Sequence, residues 1–151
     1  MNTPVSIKWS AMLWAVAVAA GVAETGLAVT EIVGDGGLDA GVWVNIGLRA
    51  VIYTGAALLI LAFSQGHRWA RVNLVALLSV IGLAAMVVPS AMLMADGEGF
   101  VDAFGSDGDL AVPFLAVRML HIAAVAVATV LMFVPASNAF FRKDRAAAAE
   151  V

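Results

Sequence analysis

The chain of 151 residues contains no cysteine, which excludes disulfides, thiolate metal centres and cysteine catalysis and leaves the redox compartment open. Charge is scarce as well. Asp, Glu, Lys and Arg together make up 13% of the residues, where soluble domains carry about a quarter. Only His67 and His121 are available as imidazoles, and they fall in different parts of the chain, so one haem iron cannot take both and methionine is the only other axial ligand on offer. The seven methionines read more simply as packing residues. No nucleotide-binding loop, zinc-binding pair, nucleophile elbow, nucleic-acid motif or internal repeat is present. A non-enzymatic protein without cofactor, metal or nucleic-acid partner is the expectation.

What fills the chain instead is apolar sequence, 63% of it, gathered into four runs at 9–33, 42–64, 69–95 and 112–134. Each exceeds the roughly 20 residues that a helix needs to cross a hydrocarbon core about 30 Å thick. The runs are continuous rather than alternating, and an unpaired backbone group in lipid costs several kcal/mol, so helix is the form they take. The predicted fold is all-α, a polytopic four-transmembrane-helix bundle in one domain covering 1–151, with a basic tail at 142–151.

Almost every charge outside the spans divides by sign. Lys8, Arg68, Arg71, Arg142, Lys143 and Arg145 flank one set of helix ends, and Asp35, Asp39, Asp96, Glu98, Asp102, Asp107 and Asp109 occupy the opposite loops, which have no Lys or Arg. The positive-inside rule then puts both termini and the turn at 65–72 in the cytoplasm, with the acidic loops outside. Trp9, Trp14, Trp43 and Trp69 are expected in an interfacial aromatic belt. Lys8 followed by an apolar run and Gly21-Val22-Ala23 imitates a signal peptide, but the run continues past Glu24 to Val33, so a retained first span is expected. The basic tail is expected against anionic lipid.

The stretch from Asp96 to Leu110 lacks the alternate acidic ligands and closing glutamate of a calcium loop. It reads as a flexible acidic cap with Phe100 and Phe104 on the membrane surface. Gly21, Gly26, Gly47, Gly55 and Gly82 are expected to permit close helix contacts. The third run has no ionisable side chain between Val72 and Ala95 and reads as packing, with Pro89 near its end.

Charges inside the spans define a candidate site. At 1.5 Å per residue, Glu24 lies roughly 14 Å from the outer boundary, Arg49 roughly 10 Å, Arg118 roughly 9 Å and His121 roughly 14 Å. Glu24 with Glu31, Arg49 with Tyr53, and Arg118 with His121 each share one helix face. A single polar cluster in the outer half of the bilayer follows. As structure, Glu24 pairs with Arg49 or Arg118, since a lone charge at such depth costs at least ~2.5 kcal/mol. As a site, Glu24 accepts a proton or cation, the arginines hold an anion, and His121 titrates near neutrality.

The strings Gln65-Gly66-His67-Arg68-Trp69-Ala70-Arg71-Val72-Asn73 and Arg118-Met119-Leu120-His121-Ile122-Ala123-Ala124-Val125 resemble an uncharacterised family of small four-helix integral membrane proteins common in actinobacteria. A Met-His-Leu string of that family stands here as Met119-Leu120-His121. The resemblance implies a bacterial plasma-membrane location and no established activity. Two functions are therefore expected: an accessory or assembly component with a structural charge cluster, or a small proton-coupled transporter or sensor of an ion or solute from outside. The bilayer, and a homo-oligomer or a membrane-protein partner, are the expected surroundings.

Overall fold

The computed structural model describes residues 3–35, 37, 39–105 and 109–148, without the side chains of Asp35 and 143–148. Asp107 and the side chains of Lys143 and Arg145 therefore lie outside the described residues. Within them the fold is helical: α1 (Val5–Asp35), α2 (Ala40–Ser64), α3 (Arg68–Leu74), a π-helical segment (Val75–Gly82), α4 (Leu83–Ala95), α5 (Phe100–Phe104), α6 (Ala111–Phe133) and α7 (Pro135–Ala148). Four stretches are long and apolar enough to cross a membrane, Val5–Gly34, Ala40–Ser64, Arg68–Ala95 and Ala111–Phe133. The chain is a multi-pass membrane protein. The third span is α3, the π segment and α4 run together, and the first span begins earlier than the apolar run alone implied because the helix continues back to Val5.

Local chemistry sets the turns. Asp39 caps α2 by accepting a hydrogen bond from the Val42 amide at 2.8 Å. After α2, Gly66 adopts φ +97°, and the amides of Gly66 and His67 close back on the carbonyls of Phe63 and Ala62. Gly97 ends α4 in the same way, at φ +102°. Only glycine takes this left-handed cap without cost, which is why both antiparallel reversals turn there.

Helix α1 is the centre of the bundle, packing along α6 and against α2. The core runs through Ile7, Trp14, Ala17, Ile60, Phe63, Leu74, Val125, Met132 and Phe141, concentrated toward the basic end. There Ser10 donates to the Ala128 carbonyl at 2.8 Å, and Arg71 donates to Asn138 at 2.6 Å while lying over the Phe133 ring at 4.3 Å. Away from these contacts the helices present apolar side chains outward, such as Val44, Val51, Leu58, Val72 and Val130. Such surfaces suit acyl chains rather than water. Helix α2 meets the third span chiefly at α3, beside the turn, whereas α4 leans on α5 and the π segment on α6. The second and third spans therefore diverge toward the acidic end.

Four expectations are corrected. Trp14 is fully buried in the core, so only Trp9, Trp43 and Trp69 are exposed as a belt requires. Phe104 is buried too. It stacks on Phe100 at 4.9 Å, and together they belong to a short helix folded onto the bundle rather than a loose cap on lipid. Gly26, Gly47 and Gly55 face open space, and Gly82 meets only the Leu77 carbonyl, so of the five glycines named above Gly21 alone receives another helix. Burial in each case followed from which face met a neighbour, a quantity absent from a hydropathy pattern. Finally, the third span contributes polar groups: the Ser79 and Thr129 hydroxyls lie 2.7 Å apart, joining the π segment to α6.

Candidate functional site

Helical phase assembles the site. Gly21, Glu24 and Thr25 share one face of α1, Asn45, Arg49 and Tyr53 one face of α2, and Phe114, Arg118 and His121 one face of α6, since residues three, four or seven apart overlie one another. Where α1 lies between α2 and α6, these three faces converge.

At the centre is Glu24, buried at 6% exposure. Its Oε1 lies 3.1 Å from His121 Nδ1 and its Oε2 lies 3.8 Å from Arg118 Nε. The His121 contact is a hydrogen bond. An ionised carboxylate can only accept, so in this contact His121 Nδ1–H is the donor and Nε2 is left facing away from Glu24. The Arg118 contact is too long for a hydrogen bond and is an ion pair only. Arg118 Nε is buried without a hydrogen-bond partner, and the guanidinium lies 4.6 Å over the Phe114 ring, which holds the cation by its quadrupole.

Tyr53 and Arg49 reach this centre through α1 rather than through Glu24. The Tyr53 hydroxyl donates to the Gly21 carbonyl at 2.7 Å and lies 2.8 Å from Thr25 Oγ1, itself 2.9 Å from the same carbonyl. Arg49 donates from Nε to Asn45 at 2.8 Å and from Nη1 to Thr25 at 3.4 Å. A Cβ on Gly21 would stand 3.0 Å from the Tyr53 ring and 3.2 Å from His121. Gly21 is thus where both rings close on α1. Glu31, half-buried and seven residues beyond Glu24, is not among the residues that line the cavity described next.

The cluster lines a cavity of about 1030 Å³. Gly21, Glu24, Arg118 and His121 form its floor, α2 and the third span its two walls, and Asp102, Ala103 and Gly105 of the α5 region its end. In α4, Pro89 offers no N–H to the Ala85 carbonyl, and the buried Ser90 hydroxyl turns back onto the Met86 carbonyl at 3.1 Å; Ala85, Met86, Pro89 and Ser90 all border the cavity.

Of the six residues singled out from the sequence, five line this cavity or bond to those that do, across α1, α2 and α6. Thr25, Asn45, Phe114 and Ser90 went unnoticed as members of the site. Thr25 was readable as the polar neighbour of Glu24 on Gly21's face. Phe114, one turn before Arg118, carries no signal beyond its spacing. Among the described residues no group of three or more His, Cys, Asp or Glu is placed to hold a metal ion. Comparison with known proteins finds no matching family model and no match among curated proteins or solved structures.

Proposed function

We propose that this protein is a non-enzymatic plasma-membrane protein of a bacterium, with both termini cytoplasmic, that binds an anion at a charge cluster in the outer half of the bundle as a proton-responsive sensor or carrier. The observation that carries this reading is that the Glu24–His121–Arg118 cluster lines a cavity of about 1030 Å³ instead of being sealed between helices. An ion pair serving only to join two helices has no need of an adjoining cavity. Here the paired groups face a space at the upper end of the range of small-molecule pockets, about 300–1,000 Å³. The orientation rests on the division of charge, with Lys8, Arg68, Arg71 and Arg142 at one end and Asp39, Asp96, Glu98, Asp102 and Asp109 at the other.

Glu24 neutralises Arg118, while Arg49 of α2 and Asp102 of α5 are further charged groups among the cavity's lining. Tyr53 adds a hydroxyl but no charge. His121 is the group that changes the balance: a proton on Nε2 leaves the cluster with one net positive charge facing the cavity, and an anion there restores neutrality. An anion in the cavity is therefore expected to be held more tightly toward acidic pH.

A second reading, an accessory or assembly subunit whose cluster is structural, is favoured by one observation: both carboxylate oxygens of Glu24 are engaged within the chain. Thermal stability in detergent from pH 5 to pH 8, with and without benzoate as probe anion, separates the two. Under the binding reading benzoate raises the melting temperature of the wild type more at the acidic end, and His121→Ala abolishes that difference while remaining folded. Full rescue of Glu24→Gln by Arg118→Gln, with no pH-linked effect in any variant, would leave the assembly reading in its place.

A further inference from the structure

Resting on the binding reading above, we infer that the natural occupant of the cavity is a single-chain membrane amphiphile, a long-chain carboxylate, admitted sideways from the lipid between the second and third spans. The polar and apolar groups of the cavity are segregated along its length. Arg49, Arg118 and His121 lie toward the acidic end, with Asp102 at the lip. Below them the walls are Ile52 and Leu58 from α2, Leu77 and Ile81 from the π segment, and finally Trp69 beside the turn. The lining on α2 extends from Asn45 to Leu59, about 21 Å of helix at 1.5 Å per residue. One leaflet is half of a core about 30 Å thick, so the cleft accommodates a chain that fills a leaflet.

A small anion alone would occupy the polar end and leave this apolar length without contents. A helix from a second copy would fill the length but not the end. The outward faces of the spans are apolar, and set against the cleft they would offer no acceptor to the remaining Arg49 donors. Arg49, an exposed residue, spends Nε on Asn45 and only a 3.4 Å contact from Nη1 on Thr25. A guanidinium with uncommitted donors matches a carboxylate head. The opening lies where α2 and the third span part company, so the chain reaches its slot from the bilayer without passing through water.

The test uses the full chain in phosphatidylcholine nanodiscs with Trp9 and Trp43 replaced by Phe, leaving Trp69 in the cleft and Trp14 in the core as reporters. Dibromostearate is titrated as a quencher, against its methyl ester, with oleate and butyrate as competitors. Saturable quenching that oleate reverses, that Trp69→Phe removes, and that the ester does not reproduce is the expected result. Arg49→Gln, on an exposed residue whose change leaves the fold intact, raises the half-saturating concentration about tenfold, the effect of losing one charge-assisted hydrogen bond. Ile81→Phe narrows the apolar wall away from the charges without adding a reporter and also weakens saturable quenching. Equal quenching by acid and ester, or quenching that never saturates, overturns the inference. Displacement by butyrate as effective as by oleate overturns it too, while leaving the small-anion site standing. Failure of the binding reading itself is read from the separate pH-stability series.

Discussion

Replacing Glu24 by Gln removes the charge that Arg118 faces while keeping an acceptor for His121 Nδ1–H, so the substitution isolates the ion pair from the hydrogen bond. At the 3.8 Å separation of Arg118 Nε and Glu24 Oε2, two unit charges attract by about 4 kcal/mol at an effective dielectric of 20. Breaking a fully buried pair typically costs about 3 to 5 kcal/mol because the surviving charge is left uncompensated. Arg118 is not fully buried: its side chain is 19% exposed, it borders the cavity, and Phe114 lies beneath it. The expected loss is therefore smaller, about 2 kcal/mol. For a protein of this size that corresponds to a fall in melting temperature of about 4–8 °C. Arg118→Gln in the same background removes the orphaned cation and should recover about half of the loss, about 1 kcal/mol, so that the coupling exceeds this by whatever Arg118→Gln costs alone. Denaturant or thermal unfolding in a single detergent at pH 7.5, for wild type, both single changes and the double change, measures the cycle. A double variant no more stable than Glu24→Gln would refute the pairing, and so would an Arg118→Gln protein as stable as wild type.

Two further outcomes are expected. Gly21→Ala places a methyl group 3.0 Å from the Tyr53 ring and 3.2 Å from His121, displacing both and costing about 1–3 kcal/mol as overpacking; unfolding in detergent reads it, and an unchanged stability would contradict the close approach. Cysteines at Glu98 and at His67, both exposed, should differ in intact cells, the first reacting with an impermeant thiol reagent and the second not, and labelling of the second alone would invert the orientation.

Much of the fold was legible because a membrane imposes it one helix at a time. A run of apolar residues such as 42–64 must satisfy its own backbone hydrogen bonds in lipid, whatever its neighbours do. The same reasoning found Glu24, Arg118 and His121, since charge at depth is conspicuous against apolar sequence. It did not assign the partners. Glu24 chooses Arg118 and His121 over Arg49 because α1 packs along α6 more fully than along α2. Arg49 turns instead to Asn45, one turn away on its own helix. Phe104 and Trp14 read as interfacial for a related reason: an aromatic ring is equally at home in a belt and in a core, and only the packing chose.

By itself the sequence determined the number of spans, their helical form, the division of charge between the two ends and the faces on which the buried charges sit, because each of these depends on local chemistry or on the bilayer as solvent. Tertiary structure alone decided which of those faces meet. It brought Gly21 against Tyr53 and His121, folded α5 over the end of the bundle, and let the second and third spans separate into a cavity of about 1030 Å³ with the charges on its floor. In lipid, where one apolar surface is nearly as good a neighbour as another, hydropathy does not rank helix pairings. Shape and a few polar contacts do, and those exist only once the helices are side by side.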